Sequence, residues 1–128
     1  MSFAMVAAVA VGGAVGSVAR YGTMIWVGRL LGTGFPYGTL AVNVIGGFVM
    51  GVLIELMALI WSPSEATRAF LAVGVLGGYT TFSTFSLDVW LLLDKGLHGP
   101  AILYIAASVI LSVAALVAGL YITRLAVA

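Results

Sequence analysis

Gly74-Val75-Leu76-Gly77-Gly78-Tyr79-Thr80-Thr81-Phe82-Ser83-Thr84-Phe85-Ser86 is the stretch on which the fold turns. It lies within a charge-free interval, residues 69–87, long and apolar enough to cross a membrane. Hydrocarbon offers no partner for free backbone groups, so a crossing segment should be an unbroken helix. This one resists that. Gly77-Gly78 has the lowest helix propensity short of proline, and the hydroxyls from Tyr79 to Ser86 compete for the backbone. Broken backbone at membrane depth is tolerated only where it is buried in protein or lines a polar cavity. The stretch therefore predicts a span broken mid-membrane, with a function attached to the break.

Working outward, the 128 residues are 63% hydrophobic and 7% charged, where a soluble domain is about a quarter charged. The class is all-α integral membrane protein. Three further charge-free intervals, residues 1–19, 30–54 and 99–123, each approach the length needed to cross hydrocarbon. They give one membrane domain of four spans, near residues 3–30, 36–60, 67–94 and 99–125, with both termini on one side. The N-terminus is apolar from Phe3 and lacks the basic region of a signal peptide, so it reads as a retained first span. There is no cysteine, which excludes disulfides, thiolate metal sites and thiol catalysis. No nucleotide motif or catalytic constellation suggests a pump or an enzyme, and no basic patch suggests nucleic acid.

Lys and Arg are shared between the two ends of the bundle. Arg68 and Arg124 fall on one side; Arg29 and Lys95, with Arg20 nearby, fall on the other. The cationic bias that sets orientation is thus close to nil. Such a chain can insert both ways, which points to an antiparallel dimer of oppositely inserted copies; one dominant loop and a single orientation is the alternative.

Each span carries a polar feature with two readings. In the first, Gly12/Gly16 and Gly13/Ser17 are small-xxx-small pairs that let backbones approach closely. Arg20 lies 17 residues after Phe3, about 26 Å along a helix and near the far boundary. It is a snorkelling anchor or a cation at the mouth of an anion path. In the second span Thr39, Asn43 and Gly47 share a face. Asn43 is interhelical glue or a donor to a passing anion. Glu55 falls near the opposite interface and is discounted as a buried proton site. In the third, Phe82 and Phe85 face one way on a helix and are packing, or offer positive ring edges to an anion. Thr80, Thr81, Ser83, Thr84 and Ser86 add hydroxyl donors, while carbonyls freed between Gly77 and Thr80 would attract a hard cation. In the fourth, Tyr104, Ser108 and Ser112 repeat every four residues as a hydroxyl ladder. His98 stands alone and receives no role.

Three segments together resemble the Fluc family of fluoride channels, also called CrcB: Gly12-Gly13-Ala14-Val15-Gly16-Ser17-Val18-Ala19-Arg20-Tyr21, Gly38-Thr39-Leu40-Ala41-Val42-Asn43-Val44-Ile45-Gly46, and the stretch from Gly74 to Phe85. The resemblance implies an antiparallel dual-topology homodimer with two fluoride pores, in a prokaryotic inner membrane. It implies a structural sodium ion at the dimer centre, held by the backbone carbonyls of Gly77 and Thr80 from each copy. It assigns Phe82, Phe85 and Asn43 to the pore, with Thr39, Ser83 and Thr84 beside them, and Tyr104, Ser108 and Ser112 to a polar track. It moves Arg20 from an anchor to an aqueous vestibule. The expected function is passive, selective fluoride export. The alternative is a proton-coupled exporter resembling small multidrug transporters, which needs a membrane-embedded carboxylate; Glu55 and Asp88, both toward span ends, are the only candidates.

Overall fold

Ser2 opens the first helix by accepting the Met5 N–H on its hydroxyl at 3.1 Å, an N-cap that satisfies one of the orphan donors of the first turn. In the computed structural model, which describes residues 1–128, that helix runs Phe3–Leu31. It stops at Gly32, whose φ of +82° is a left-handed conformation that suits glycine. The second helix is Tyr37–Leu59 and the fourth is His98–Val127. Pro100 sits in the first turn of the fourth, where its missing N–H has no helical acceptor to lose. Four helical spans result and there is no strand; the protein is a multi-pass membrane protein.

The third span, Glu65–Asp94, is the irregular one. Ser64 caps its start by accepting the Thr67 N–H at 3.2 Å. After Glu65–Arg68 the chain becomes π-helical over Ala69–Leu76, then makes a short α-helical turn over Gly77–Tyr79. The helix breaks across Thr80–Phe82 and resumes as Ser83–Asp94. The break thus falls just beyond the glycine pair. Gly77 and Gly78 remain helical, and at Gly78 the backbone of the first helix occupies the space a side chain would take. A Cβ at Gly78 would sit 2.7 Å from the carbonyl oxygen of Gly13.

Glycine contacts organise the bundle into two close pairs. The first helix lies against the entering half of the third span, and the second lies against the fourth. Gly12 and Gly16 face Phe70, Gly74 and Val75 so closely that an added Cβ would collide with backbone carbonyls. Gly51 and Gly119 do the same between the second and fourth helices, against Leu116 and Phe48. Lipid is as apolar as leucine, so such backbone approach and its dispersion contacts replace the hydrophobic drive of a soluble core. Only 18 of 128 residues are buried, and side chains such as Val11, Ile102, Val109 and Leu125 point outward, as hydrocarbon or a partner requires. At the terminal side, buried Glu55 accepts from Arg124 Nη2 at 2.9 Å and Nε at 3.1 Å, and the guanidinium lies 5.0 Å from the Tyr121 ring centroid. The pair ties the ends of the second and fourth helices, and Glu55 is not a free carboxylate.

The glycine contacts separate two otherwise similar substitutions. Gly16→Ala sets a methyl against the Val75 carbonyl, and overpacking of that kind costs about 1–3 kcal/mol. Its melting temperature in detergent should fall by roughly 5 °C or more. Gly22→Ala, with no heavy atom within 4 Å of the new methyl, should melt no lower than the parent, because alanine is the better helix former.

Candidate functional site

The break is held by one side chain. Asn43, from the second helix, donates from Nδ2 to the Thr81 carbonyl at 3.0 Å and accepts the Thr81 N–H on Oδ1 at 2.8 Å. A single carboxamide thus takes both backbone groups of the residue at the centre of the break. Thr80 is extended there, with φ −85° and ψ 159°. Thr81 in turn caps the leaving half: its Oγ1 accepts the Thr84 N–H at 3.2 Å and lies 3.3 Å from Ser83 Oγ and 3.2 Å from Thr84 Oγ1.

These bonds leave two carbonyls without their helical donors. In an uninterrupted helix Gly77 would receive the Thr81 N–H and Thr80 would receive the Thr84 N–H. The first goes to Asn43 and the second to the Thr81 hydroxyl. No other backbone N–H outside the regular helices replaces them. Gly77 and Thr80 both face a groove of about 440 Å³ between the second, third and fourth spans.

Ser108 and Ser112 line the other wall of that groove. Both hydroxyl oxygens are buried and neither has a hydrogen-bond partner; the usual bond to the carbonyl one turn back is not made. Phe82 and Phe85 stand above them, with ring centroids 5.4 Å apart and planes at 50°. Phe82 is 77% exposed, while Phe85 packs inward with its ring 5.2 Å from that of Tyr104. No Lys, Arg or His lines the groove. Gly46 keeps it open beside Thr80, whose methyl occupies the space a side chain there would need.

Asp88 is the site residue that sequence reasoning set aside. Its Oδ2 accepts from Thr39 Oγ1 at 2.7 Å and from Tyr104 OH at 3.0 Å. Thr39 and Tyr104 are therefore committed to a carboxylate and do not present free hydroxyls to the groove. The signal was available: Asp88 is three residues beyond Phe85 and four beyond Thr84, hence on their face of the helix. Asp88 also opens onto a second, smaller cleft of about 80 Å³ lined by Thr33, Gly34, Pro36 and Lys95. Fully buried Tyr104 links the two linings, with its ring on Phe85 of the groove and its hydroxyl on Asp88 of the cleft. Arg20 lies outside both linings, its Nε buried without a partner. No three His, Asp or Glu side chains converge.

Residues 7–120 match the family described as CrcB-like protein, Camphor Resistance (CrcB). The chain belongs to the CrcB family. Its break, groove and glycine seams all fall inside the matched residues. Among CrcB relatives, the protein named "Fluoride-specific ion channel FluC" from Rhodospirillum centenum is 56% identical over 124 residues, covering 97% of this chain and 98% of its own. Proteins of the same name from Nitrobacter winogradskyi (51% over 124 residues, 97% and 98% covered) and Caulobacter vibrioides (54% over 117 residues, 91% and 92% covered) are similarly close.

The clamp at Asn43 has a stability consequence that a loose pore-lining residue would lack. Asn43→Ala leaves the Thr81 N–H and carbonyl unpartnered, a loss of about 1–3 kcal/mol for each buried group. The variant should melt earlier and exchange the Thr81 amide hydrogen faster. Asn43→Asp keeps the acceptor but turns an oxygen on the Thr81 carbonyl, and should not restore stability.

Proposed function

We propose that the protein is a passive, selective fluoride channel working as an antiparallel dual-topology homodimer with two pores. The observation that carries this reading is the pair of unpartnered hydroxyls, Ser108 and Ser112, facing Phe82 and Phe85 across a groove with no fixed cation. The names of the CrcB relatives supply the ion. Fluoride is small and strongly hydrated, so its path must replace water with donors at each step, weakly enough for release. The two serines stand one helical turn apart, about 6 Å. Each turns an O–H toward fluoride. Asn43 keeps its second Nδ2 hydrogen after serving Thr81. The ring edges of Phe82 and Phe85 supply partial positive charge without a group that would hold the ion. The membrane potential and the fluoride gradient then drive export across the prokaryotic inner membrane.

A sodium ion at the dimer centre is part of this reading. The donor set fits it: the Gly77 and Thr80 carbonyls lack their helical donors, and hard cations take oxygen ligands of this kind. Two copies would offer four such carbonyls. The ion would supply a fixed positive charge that satisfies the interrupted backbone.

Asp88 supports a second reading, a proton-coupled exporter, because it is a carboxylate within the third span held by two hydroxyls. Liposomes containing only this protein separate the two. The channel releases fluoride in proportion to an added potassium conductance, with negligible chloride release and no need for a pH gradient. Flux that stops when the pH gradient is removed would establish the exporter instead. Within the channel, Phe82→Ile and Phe85→Ile each remove a ring edge of about 1 kcal/mol, or about fivefold in rate. Parental flux in both variants, with unchanged elution, would exclude the rings from conduction.

A further inference from the structure

The smaller cleft presents a difficulty for an anion path. On the proposed reading of fluoride conduction, an anion approaching the groove from the side opposite the termini meets the Asp88 carboxylate, which lines that cleft. Its two hydrogen-bond donors, Thr39 and Tyr104, are neutral and leave its charge in place. A negative group at the mouth of a narrow path lowers the local anion concentration, and low-dielectric walls focus its field.

Lys95 is the only cationic residue lining the same cleft. It follows Asp88 by seven residues, close to two full helical turns, so the two side chains share a face about 10 Å apart along the axis. Lys95 is exposed and makes no ion pair. Asp94, its neighbour in sequence, does not line the cleft. The ammonium thus stands outward of the carboxylate, on the solvent side of the same opening. A strongly hydrated point charge on a flexible stem attracts an anion without fixing it in one geometry.

We infer that Lys95 is the anion-gathering residue of this mouth: it offsets the field of Asp88 and raises the local fluoride concentration before the ion reaches the serine-lined groove. Its role is electrostatic, so it depends on charge and on ionic strength rather than on side-chain shape. The Debye length falls from about 30 Å at 0.01 M salt to about 3 Å at 1 M. The contribution of Lys95 should be large in the first condition and nearly absent in the second.

The chain has no cysteine, which permits a direct test. Lys95→Cys is purified, then labelled in detergent with a trimethylammonium-ethyl or a sulfonato-ethyl methanethiosulfonate before reconstitution. Initial fluoride efflux is compared at low and high ionic strength, using a salt of an impermeant organic anion. Lys95→Gln and unlabelled Lys95→Cys should conduct roughly threefold or more slowly than the parent at low salt, and alike at high salt. Lys95→Arg and the cationic label should restore the low-salt rate, and the anionic label should slow it further. Equal rates with both labels, or a parental low-salt rate in Lys95→Gln, would overturn the inference while leaving fluoride conduction by the parent standing. A parent that carries no fluoride would overturn both.

Discussion

The two hydrogen bonds between Asn43 and Thr81 are the constraint from which the rest of the site follows. Backbone groups inside a membrane must be satisfied within the protein. A break in the third span is stable only because a side chain from another helix takes the place of the missing helical bonds. The substitution is incomplete by design of the geometry. Asn43 serves Thr81, Thr81 serves Thr84, and Gly77 and Thr80, both residues of the groove wall, are left without helical donors to their carbonyls. The same clamp turns Phe82 and Phe85 toward Ser108 and Ser112. The ring placement and the carbonyls without helical donors are therefore products of one interruption.

Glycine makes that interruption possible from behind. The entering half of the third span is fixed against the first helix at Gly12, Gly16, Gly74 and Gly78, with backbone touching backbone. The second and fourth helices are fixed to one another in the same way at Gly47, Gly51 and Gly119. The groove lies where these two tight pairs meet, and the Thr23 to Tyr79 contact of 3.0 Å adds a polar tie from the first helix to the residue just before the break. Rigid surroundings let Thr80 hold an extended conformation, and the helix stay interrupted across Thr80–Phe82, without loosening the bundle.

Much of this was legible in the sequence where the signal was local. The charge-free intervals gave four spans, the four-residue repeat of Tyr104, Ser108 and Ser112 gave a hydroxyl stripe, and Gly77 through Ser86 gave an interrupted third span. What was not legible depended on distant pairs. Asn43 stood out as a polar residue at depth, but its partner lies 38 residues away. Thr39 and Tyr104 read as free donors because Asp88, 49 and 16 residues from them, was placed only toward the end of its span. Gly77-Gly78 read as the break itself. Propensity marks them as weak helix formers, yet contact with Gly13 keeps Gly78 helical, and the backbone yields at the threonines, where Asn43 offers other partners. The π-helical turns of Ala69–Leu76 left no mark in composition at all.

Those turns have a consequence of indexing. A π turn bonds each residue to the fifth one along, so it absorbs more chain per turn than an α turn does. The segment between Arg68 and Gly77 therefore holds surplus sequence inside a continuous span. Were the same eight residues to wind as α-helix, at about 100° each, they would turn further, and everything beyond would swing round the axis. Thr81 would leave Asn43, and both phenylalanines would turn away from the serines. The winding of the residues before the break is thus part of the site, as binding a specification as the identity of any side chain in it.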